Sequence, residues 1–588
     1  MKLNLGNIPE PDLIKEEPAS VPKPAWYKAS DENVQSFKDS LVENLLNIQP
    51  SEDLILCRDV HCKNKHHISE CDNYCLDVLN AISDSVKLNI PYTGQEKEKK
   101  VIAGWNNEVK SFQKEAQFYN ALWISSGKPI NTDLHWAMKN SRNQYHYAVR
   151  RAKRNHDAIV NNKFVQCCLE GKVDDLLKEV KKMRGSQSKN STVIDDHVGD
   201  DKIANHFCDI YEELYNSVLS DDALGELLTQ INNDISDDDL VDVNQITPDL
   251  IQEAIDHLKT GKSDVDYDWK SEAFIHGAEA LASPLSFIFK CFLIHGHIST
   301  FLLLCSLVPL VKDPQGDKTS SSNFRAIAIS SLFMKILDWI LLILFGKKLA
   351  PSYYQFGFMK RCSTTMCSWV VSETINYFTN RKSPVFACFL DLTKAFDKVE
   401  FSTLFQKLLG KIPHIFLRIL IFSYRHQSCL VRWNKAFSRK FSIRNGVRQG
   451  AVASPIFFAI YLDKLFYILQ NSGLGCRIGP HFYGIQGYAD DLALLSPDRQ
   501  GLQRMLDICK EYFNQHKITI STNIKVEKTK TKCMVFGSKI TPYPIKLNGQ
   551  DLPWWDKTWP HVGHLFHMDQ STDHDLLKKR GAFIGKLH

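Results

Sequence analysis

Asp490 and Asp491 stand side by side in the stretch Gly487-Tyr488-Ala489-Asp490-Asp491-Leu492-Ala493-Leu494-Leu495. Neighbouring side chains of a strand point to opposite faces. Adjacent acids therefore fit a tight hairpin in which one carboxylate points into a site and the other sits beside it. A carboxylate pair at a turn can also be merely solvated, but a second acidic stretch upstream weighs against that. It reads Phe386-Ala387-Cys388-Phe389-Leu390-Asp391-Leu392-Thr393-Lys394-Ala395-Phe396-Asp397. Its apolar run from Val385 to Leu390 predicts a buried strand that ends in Asp391 and passes into helix-like spacing. A carboxylate at the end of a buried strand, on a positively charged chain, suggests a metal ligand. Two Mg²⁺ ions need about three carboxylates converging from separate strands, with substrate phosphates completing the octahedra. Asp391, Asp490 and Asp491 would supply them.

The elements that must position these acids are legible around them. Between the two stretches lies Asn445-Gly446-Val447-Arg448-Gln449-Gly450, then Ser454-Pro455 and an apolar helix from Ile456 to Leu469. Upstream, Val308 to Lys312 reads as a strand ending in a base, and Asn323 to Ile329 as another. Thr247-Pro248-Asp249 starts a helix with a capping pattern. Downstream, Gln503 to Phe513 has the apolar spacing of a helix.

Phe-Leu-Asp-Leu-x-x-Ala-Phe-Asp followed by Tyr-Ala-Asp-Asp resembles motifs A and C of reverse transcriptases, in the version carried by non-LTR (LINE-type) retrotransposons. Asn445 to Gly450 with the following helix resembles motif B, and both order and spacing match. The resemblance implies an α+β fold: the fingers and palm of a right-hand polymerase, with an antiparallel palm sheet flanked by helices, preceded by a mainly helical region. It implies an RNA-directed DNA polymerase that joins deoxynucleoside triphosphates to a primer 3′-hydroxyl on an RNA template, using two Mg²⁺ ions, with Mn²⁺ the alternative ion. Asp391, Asp490, Asp491 and the Leu392 carbonyl would hold the metals. Lys312 and Arg325 match bases that contact the incoming triphosphate, although Ala326 stands where Pro is usual and would loosen that turn. Phe396 would pack under the sugar and exclude a 2′-hydroxyl. Gln449 and Gly450 would approach the base pair, Arg448 would sit near the template strand, and Asp397 would cap or pair locally. Gln355-Phe356-Gly357-Phe358 resembles a template-facing segment. A lysine of motif D falls on Lys528 or Lys530, because Lys-Thr occurs twice there. Trp559 to Leu565 resembles the primer-grip hairpin.

Composition sets the outer limits. With 588 residues, 44% hydrophobic and 24% charged, the chain suits a polymerase core plus a flanking region. A net charge of +5 does not by itself demand a nucleic-acid partner. The 16 Cys are scattered and read as reduced thiols of an intracellular protein, in nucleus or cytoplasm. Met1 to Pro24 lacks the apolar core of a signal peptide. Phe301 to Val311 and Ile336 to Phe345 are short or interrupted by Asp338 and read as buried core, so no membrane partner is expected.

The expected division is a disordered tail over 1–30, a mainly helical linker region without an endonuclease over 31–240, and fingers and palm over 241–588 with the thumb truncated. Within the linker, aromatics interleave with Arg150-Arg151-Ala152-Lys153-Arg154, a pattern that can neutralise phosphates. Asp221 to Asp242 reads as an exposed acidic linker, and residues up to about 240 as loosely packed on the rest. Cys57, Cys62, His66, His67, Cys71 and Cys75 are dense enough for zinc, yet they match no standard finger and read first as ordinary thiols. Two other functions stay open at this stage. One is an RNA-templated RNA polymerase, which Phe396 disfavours. The other is a catalytically weak or silent transposon remnant that only binds nucleic acid.

Overall fold

The computed structural model describes residues 23–92, 107–155, 191–217, 221–265, 269–521, 530–538, 543–552, 554–556 and 558–587. These fall in two compact units. The larger unit begins with helices α1 (Asp31–Leu46) and α2 (Lys65–Asn89). Ser30 and Asn33 close a capping box at the start of α1. In α2, Cys71, Cys75, Val78, Ile82 and Val86 form a buried stripe at helical spacing. The smaller unit contributes the hairpin of α3 (Asn107–Ser125) and α4 (Asp133–Arg154), closed over Val109, Ala148 and Ala152. In that hairpin Ala152 faces inward while Arg150, Arg151, Lys153 and Arg154 are exposed.

The larger unit continues through α5 (Asp200–Tyr215), α6 (Asp221–Asp234), α7 (Pro248–Asp256) and α8 (Ala278–His295). Three expectations are corrected here. Residues 23–92 do not pack loosely: their buried stripe belongs to the same hydrophobic core as α7, α8 and the elements beyond, so no division falls near 240. Residues 23–30 are ordered. Trp26 is buried edge-on to Phe37 at 5.2 Å and stacked on His276 at 5.3 Å, and the Ala25 N–H donates to the Pro91 carbonyl at 2.7 Å; the tail over 1–22 lies outside the described residues. The acidic stretch from Asp221 is a helix rather than a linker, because Leu224, Leu227 and Ile231 recur at helical spacing and bury that edge beneath the acids. Helix α8 is long and apolar enough to cross a membrane, but 61% of it lies inside the protein, as a core helix does.

Two sheets follow. In the first, β1 (Leu304–Val311) pairs antiparallel with β2 (Phe324–Ser330) and parallel with a later strand over Ser428–Trp433. Helix α9 (Leu332–Phe345) leads towards the second sheet, which opens with β3 (Val385–Thr393). Next come α10 (His414–Arg425), β4 (Ser428–Trp433) and α11 (Ser454–Asn471). The hairpin β5 (Ile485–Tyr488) and β6 (Asp491–Ser496), helix α12 (Arg499–Gln515), and strands β7 (Thr519–Ile520) and β8 (Lys532–Phe536) complete that sheet. Its order is β5-β6-β3, with β7 and β8 sharing the far edge of β3, and every pairing is antiparallel. The α+β fold with an antiparallel sheet flanked by helices is therefore present.

Strand β3 is apolar without alternation because both of its faces are covered. Phe386, Cys388 and Leu390 enter the main core, while Val385, Ala387 and Phe389 enter a second cluster with Ala493, Leu495, Met534 and Phe566. The hairpin of β9 (Trp559–His561) and β10 (His564–Phe566) backs that second cluster, its turn made by Val562 and Gly563 at positive φ.

Candidate active site

Strand register brings the acids together. Asp391 and Asp491 are direct partners on β3 and β6, which places their Cα atoms about 4.5–5.5 Å apart with both side chains on one face. That face is the one carrying Ala387, Phe389, Ala493 and Leu495; the apolar cover ends where the two acids begin. Asp490 occupies the two-residue turn between β5 and β6, since Tyr488 pairs with Asp491. The first residue of such a turn needs positive φ, normally from Gly, and here Ala489 takes it at φ 58°. Buried Gln355 holds that conformation: its Oε1 accepts the Ala489 N–H at 2.8 Å and its Nε2 donates to the Ala489 carbonyl at 3.3 Å. The Phe356 N–H also donates to the Gly487 carbonyl at 2.8 Å.

Burial raises the pKa of all three carboxyls. The charge of Asp391 adds to the rise at Asp490, and the charges of Asp490 and Asp391 push Asp491 up to about 6. Lys530 opposes the rise at each, so its ammonium stands within charge range of the whole triad. Lys528 lies outside the described residues.

A group of bases adjoins the acids through Lys530 and, at Asp490, Arg325. Lys312 follows β1 and Arg325 stands on β2, opposite Leu310. Lys312 is held below its ordinary pKa by burial and then by the charges of Lys394, Arg325 and Lys530. Four cations thus share one small region, a field suited to phosphate oxygens. Ala326 is not at a turn; it is buried mid-strand opposite Pro309. The Ser521 N–H takes the Asp391 carbonyl at 2.8 Å on the β7 side. Strand alternation therefore turns the Leu392 carbonyl to the other edge, where Asp490 and Asp491 stand.

The remaining expected residues line the same approach. Phe396 is half-buried and stacks on Phe458 of α11, ring centroids 4.2 Å apart, which fixes its ring. The Gln449 Nε2 donates to buried Asp397 at 2.6 Å, and the Tyr215 hydroxyl of α5 donates to the same Asp397 oxygen at 2.9 Å. Asp397 is thus a local anchor for Gln449. Gly450 has φ 126°, and a Cβ there would stand 2.5 Å from the Ala328 carbonyl oxygen; the Gly is required by this close approach.

Arg448 is a correction. It does not reach outward but is buried, its Nε donating to Gln427 at 2.7 Å and its guanidinium 5.3 Å from the Tyr424 ring. Its fork fits that buried acceptor set, the Gln427 amide oxygen and the Ser423 carbonyl. Sequence reasoning missed Lys394, Tyr215 and the clamping role of Gln355. It also read Asp338 only as a charge interrupting an apolar run. Asp338 accepts the N–H groups of Val452 and Ala453 at 2.9 and 3.2 Å, capping the start of α11. A charge inside an otherwise apolar helix was the available signal.

Residues 313–554 match the family model described as reverse transcriptase (RNA-dependent DNA polymerase). Over 293 residues the chain is 27% identical to the retrovirus-related Pol polyprotein from type-1 retrotransposable element R2 of Popillia japonica, covering 48% of this chain and 40% of that one. The corresponding protein of element R2DM of Drosophila melanogaster is 24% identical over 221 residues, covering 37% and 20%. The RNA-directed DNA polymerase from mobile element jockey of Drosophila funebris is 25% identical over 277 residues, covering 45% and 29%. The matched part spans at most 40% of the length of these three relatives.

Proposed function

We propose that this chain, whose residues 313–554 match the reverse transcriptase family model and which is similar to the polymerases of non-LTR retrotransposons, extends a DNA primer on an RNA template with deoxynucleoside triphosphates. The observation that carries the reading is the pairing of Asp391 with Asp491, with Asp490 in the adjoining turn and Lys530 within charge range of all three.

The family is one of divalent-metal-dependent polymerases, and the donor set here fits two Mg²⁺ ions, or Mn²⁺. Three hard oxygen donors converge, and their mutual repulsion is only partly offset by Lys530. Asp391, Asp490, Asp491 and the Leu392 carbonyl would hold them. Bound there, the metals supply charge stabilisation for the attacking and leaving oxygens. The chain's own residues orient the reactants. Lys312, Arg325 and Lys394 hold the triphosphate so that its α-phosphorus meets the primer 3′-oxygen. The new P–O bond forms as the bond to pyrophosphate breaks, and the hydroxyl proton leaves to water. Phe396, locked against Phe458, fills the space a 2′-hydroxyl would need. Gln449, tied to Asp397 and Tyr215, presents a fixed edge to the base pair. The fourteen described cysteines are all free thiols, which supports an intracellular setting in nucleus or cytoplasm.

The test is extension of oligo(dT) on poly(rA) with dTTP and Mg²⁺ by the purified chain. Activity lost in Asp490→Ala and Asp391→Asn is the expected result. Activity that survives Asp490→Ala would overturn the site. A folded wild-type chain that binds primer–template without extending it would support the reading of a silent remnant.

A further inference from the structure

A second constellation joins the loop before α2 to the end of α8. The Sγ atoms of Cys57 and Cys62 and one ring nitrogen each of His67 and His295 all lie within 4.8 Å of one another. Cys57 and Cys62 belong to the loop before α2, His67 to the first turn of α2, and His295 is the last residue of α8. A tetrahedral ion with metal–sulfur bonds near 2.3 Å and metal–nitrogen bonds near 2.0 Å sets its donors about 3.3–3.8 Å apart. The cluster needs only a small contraction to reach that geometry.

The hydrogen bonds of the two imidazoles fix which nitrogen faces the cluster. The His67 Nε2 lies 2.7 Å from Asp53 Oδ2. A carboxylate accepts, so Nε2 carries the proton and Nδ1 keeps its lone pair, 3.5 Å from Cys62 Sγ. The His295 Nδ1 lies 2.9 Å from the Cys291 carbonyl, which can only accept. The proton is therefore on Nδ1, and the lone pair is on Nε2. That Nε2 is buried and has no hydrogen-bond partner. A buried polar atom left without a partner is costly in the absence of something to bind. The two rings cross at 86°, centroids 5.6 Å apart, as two ligands of one centre do.

We propose that Cys57, Cys62, His67 and His295 form a structural Zn²⁺ site that fastens the loop before α2 to the C-terminal end of α8. Two thiolates and two imidazoles suit Zn²⁺ among the common divalent ions, and four protein ligands leave no open position for catalysis. Asp53 is the outer carboxylate that orients His67. His66 is exposed, while Cys71 turns to Cys291 and lies outside the set. The surroundings show the junction being held by other means as well. Arg418 of α10 donates to the Val60 carbonyl at 2.8 Å and to the Leu293 and Ile294 carbonyls. His297 is 2.9 Å from Asp72 of α2. The chain leaving α8 becomes β1, which leads to Lys312, so the ion would brace the strand that carries the triphosphate-facing base.

The experiment uses the full chain, purified in reducing buffer without chelator. Elemental analysis after exhaustive dialysis should find about one zinc per chain. Replacement by Co²⁺ should give the visible absorption of a tetrahedral centre with thiolate charge transfer. Cys62→Ser and His295→Ala should lose the metal, and Cys71→Ser should keep it. Asp53 is exposed, so Asp53→Asn should fold normally while binding zinc about 10–100-fold more weakly. A zinc-selective chelator should speed proteolysis within residues 47–65 of the wild-type chain. A folded wild-type chain with no zinc and no cobalt spectrum, a Cys57–Cys62 disulfide under these conditions, or undiminished zinc affinity in Asp53→Asn together with His295→Ala would overturn the proposal.

Discussion

Replacing Asp491 with Asn should stabilise the protein while abolishing polymerisation. In the structure Asp491 is raised from an ordinary 3.8 to about 6, first by burial and then by Asp490 and Asp391. A displacement of about 2 on the pH scale corresponds to roughly 3 kcal/mol between the two protonation states. Shared titration within the triad and the partial exposure of Asp491 reduce what one substitution recovers to about 1–3 kcal/mol. A carboxyl with a raised native pKa contributes stability that is full below about pH 4. That contribution is lost as the pH rises through about 6, and the resulting penalty persists above it. In buffer without Mg²⁺, urea unfolding at pH 7.5 should therefore show Asp491→Asn more stable than wild type by about 1–3 kcal/mol. The gap should narrow at pH 4.5 and close below about pH 4. Added Mg²⁺ should stabilise wild type and leave the variant nearly unmoved, because the ion binds only the native cluster. If Asp491→Asn is destabilised at pH 7.5 without Mg²⁺, the carboxylate is satisfied by protein groups alone, and the reasoning that it awaits a cation fails.

Gln355→Ala removes both hydrogen bonds that hold Ala489 at positive φ; kcat in primer extension should fall at least tenfold while primer–template affinity, read by filter binding, stays within about threefold. Phe396→Ala should raise the ribonucleotide-to-deoxynucleotide incorporation ratio by ten times or more in single-nucleotide extension; an unchanged ratio would show that the ring does not meet the sugar. Gly450→Ala meets the Ala328 carbonyl and a φ of 126°, so unfolding in urea should show a loss of about 1–3 kcal/mol, with Gly450→Ser no better. Tyr215→Phe leaves buried Asp397 with one hydrogen bond fewer and should cost about 1–2 kcal/mol, with a raised KM for dNTP if Gln449 loosens with it.

The local elements of the site were legible in the sequence because they depend on near neighbours. The run Val385 to Leu390 is apolar at every position, a pattern that a strand covered on both faces requires, and it stops at Asp391. The pair Asp490-Asp491 sits between β5 and β6, where only a tight turn fits. Ser454-Pro455 opens an apolar run too long for a buried strand and read as a helix. The family resemblance then assigned roles to these residues. What the chain pattern could not show was set by distant partners. The single-residue register of β3 on β6 puts Asp391 opposite Asp491, and a slip by one would have turned the acid to the opposite face. Arg448 went inward because Gln427, Ser423 and Tyr424 offered buried acceptors and a ring, none of them near it in sequence. The acids of Asp221–Asp234 disguised a helix whose three buried residues find their cover on other helices. The stripe of α2 was readable as amphipathic, but its partner was not, so a core shared with α8 passed for a linker. Cys57, Cys62 and His67 were visible as a group and incomplete as a site. The fourth donor, His295, is brought to them only by the packing of α2 against α8, and that long-range contact is decided by which buried surfaces fit together, a property of the folded molecule that spacing along the chain does not encode.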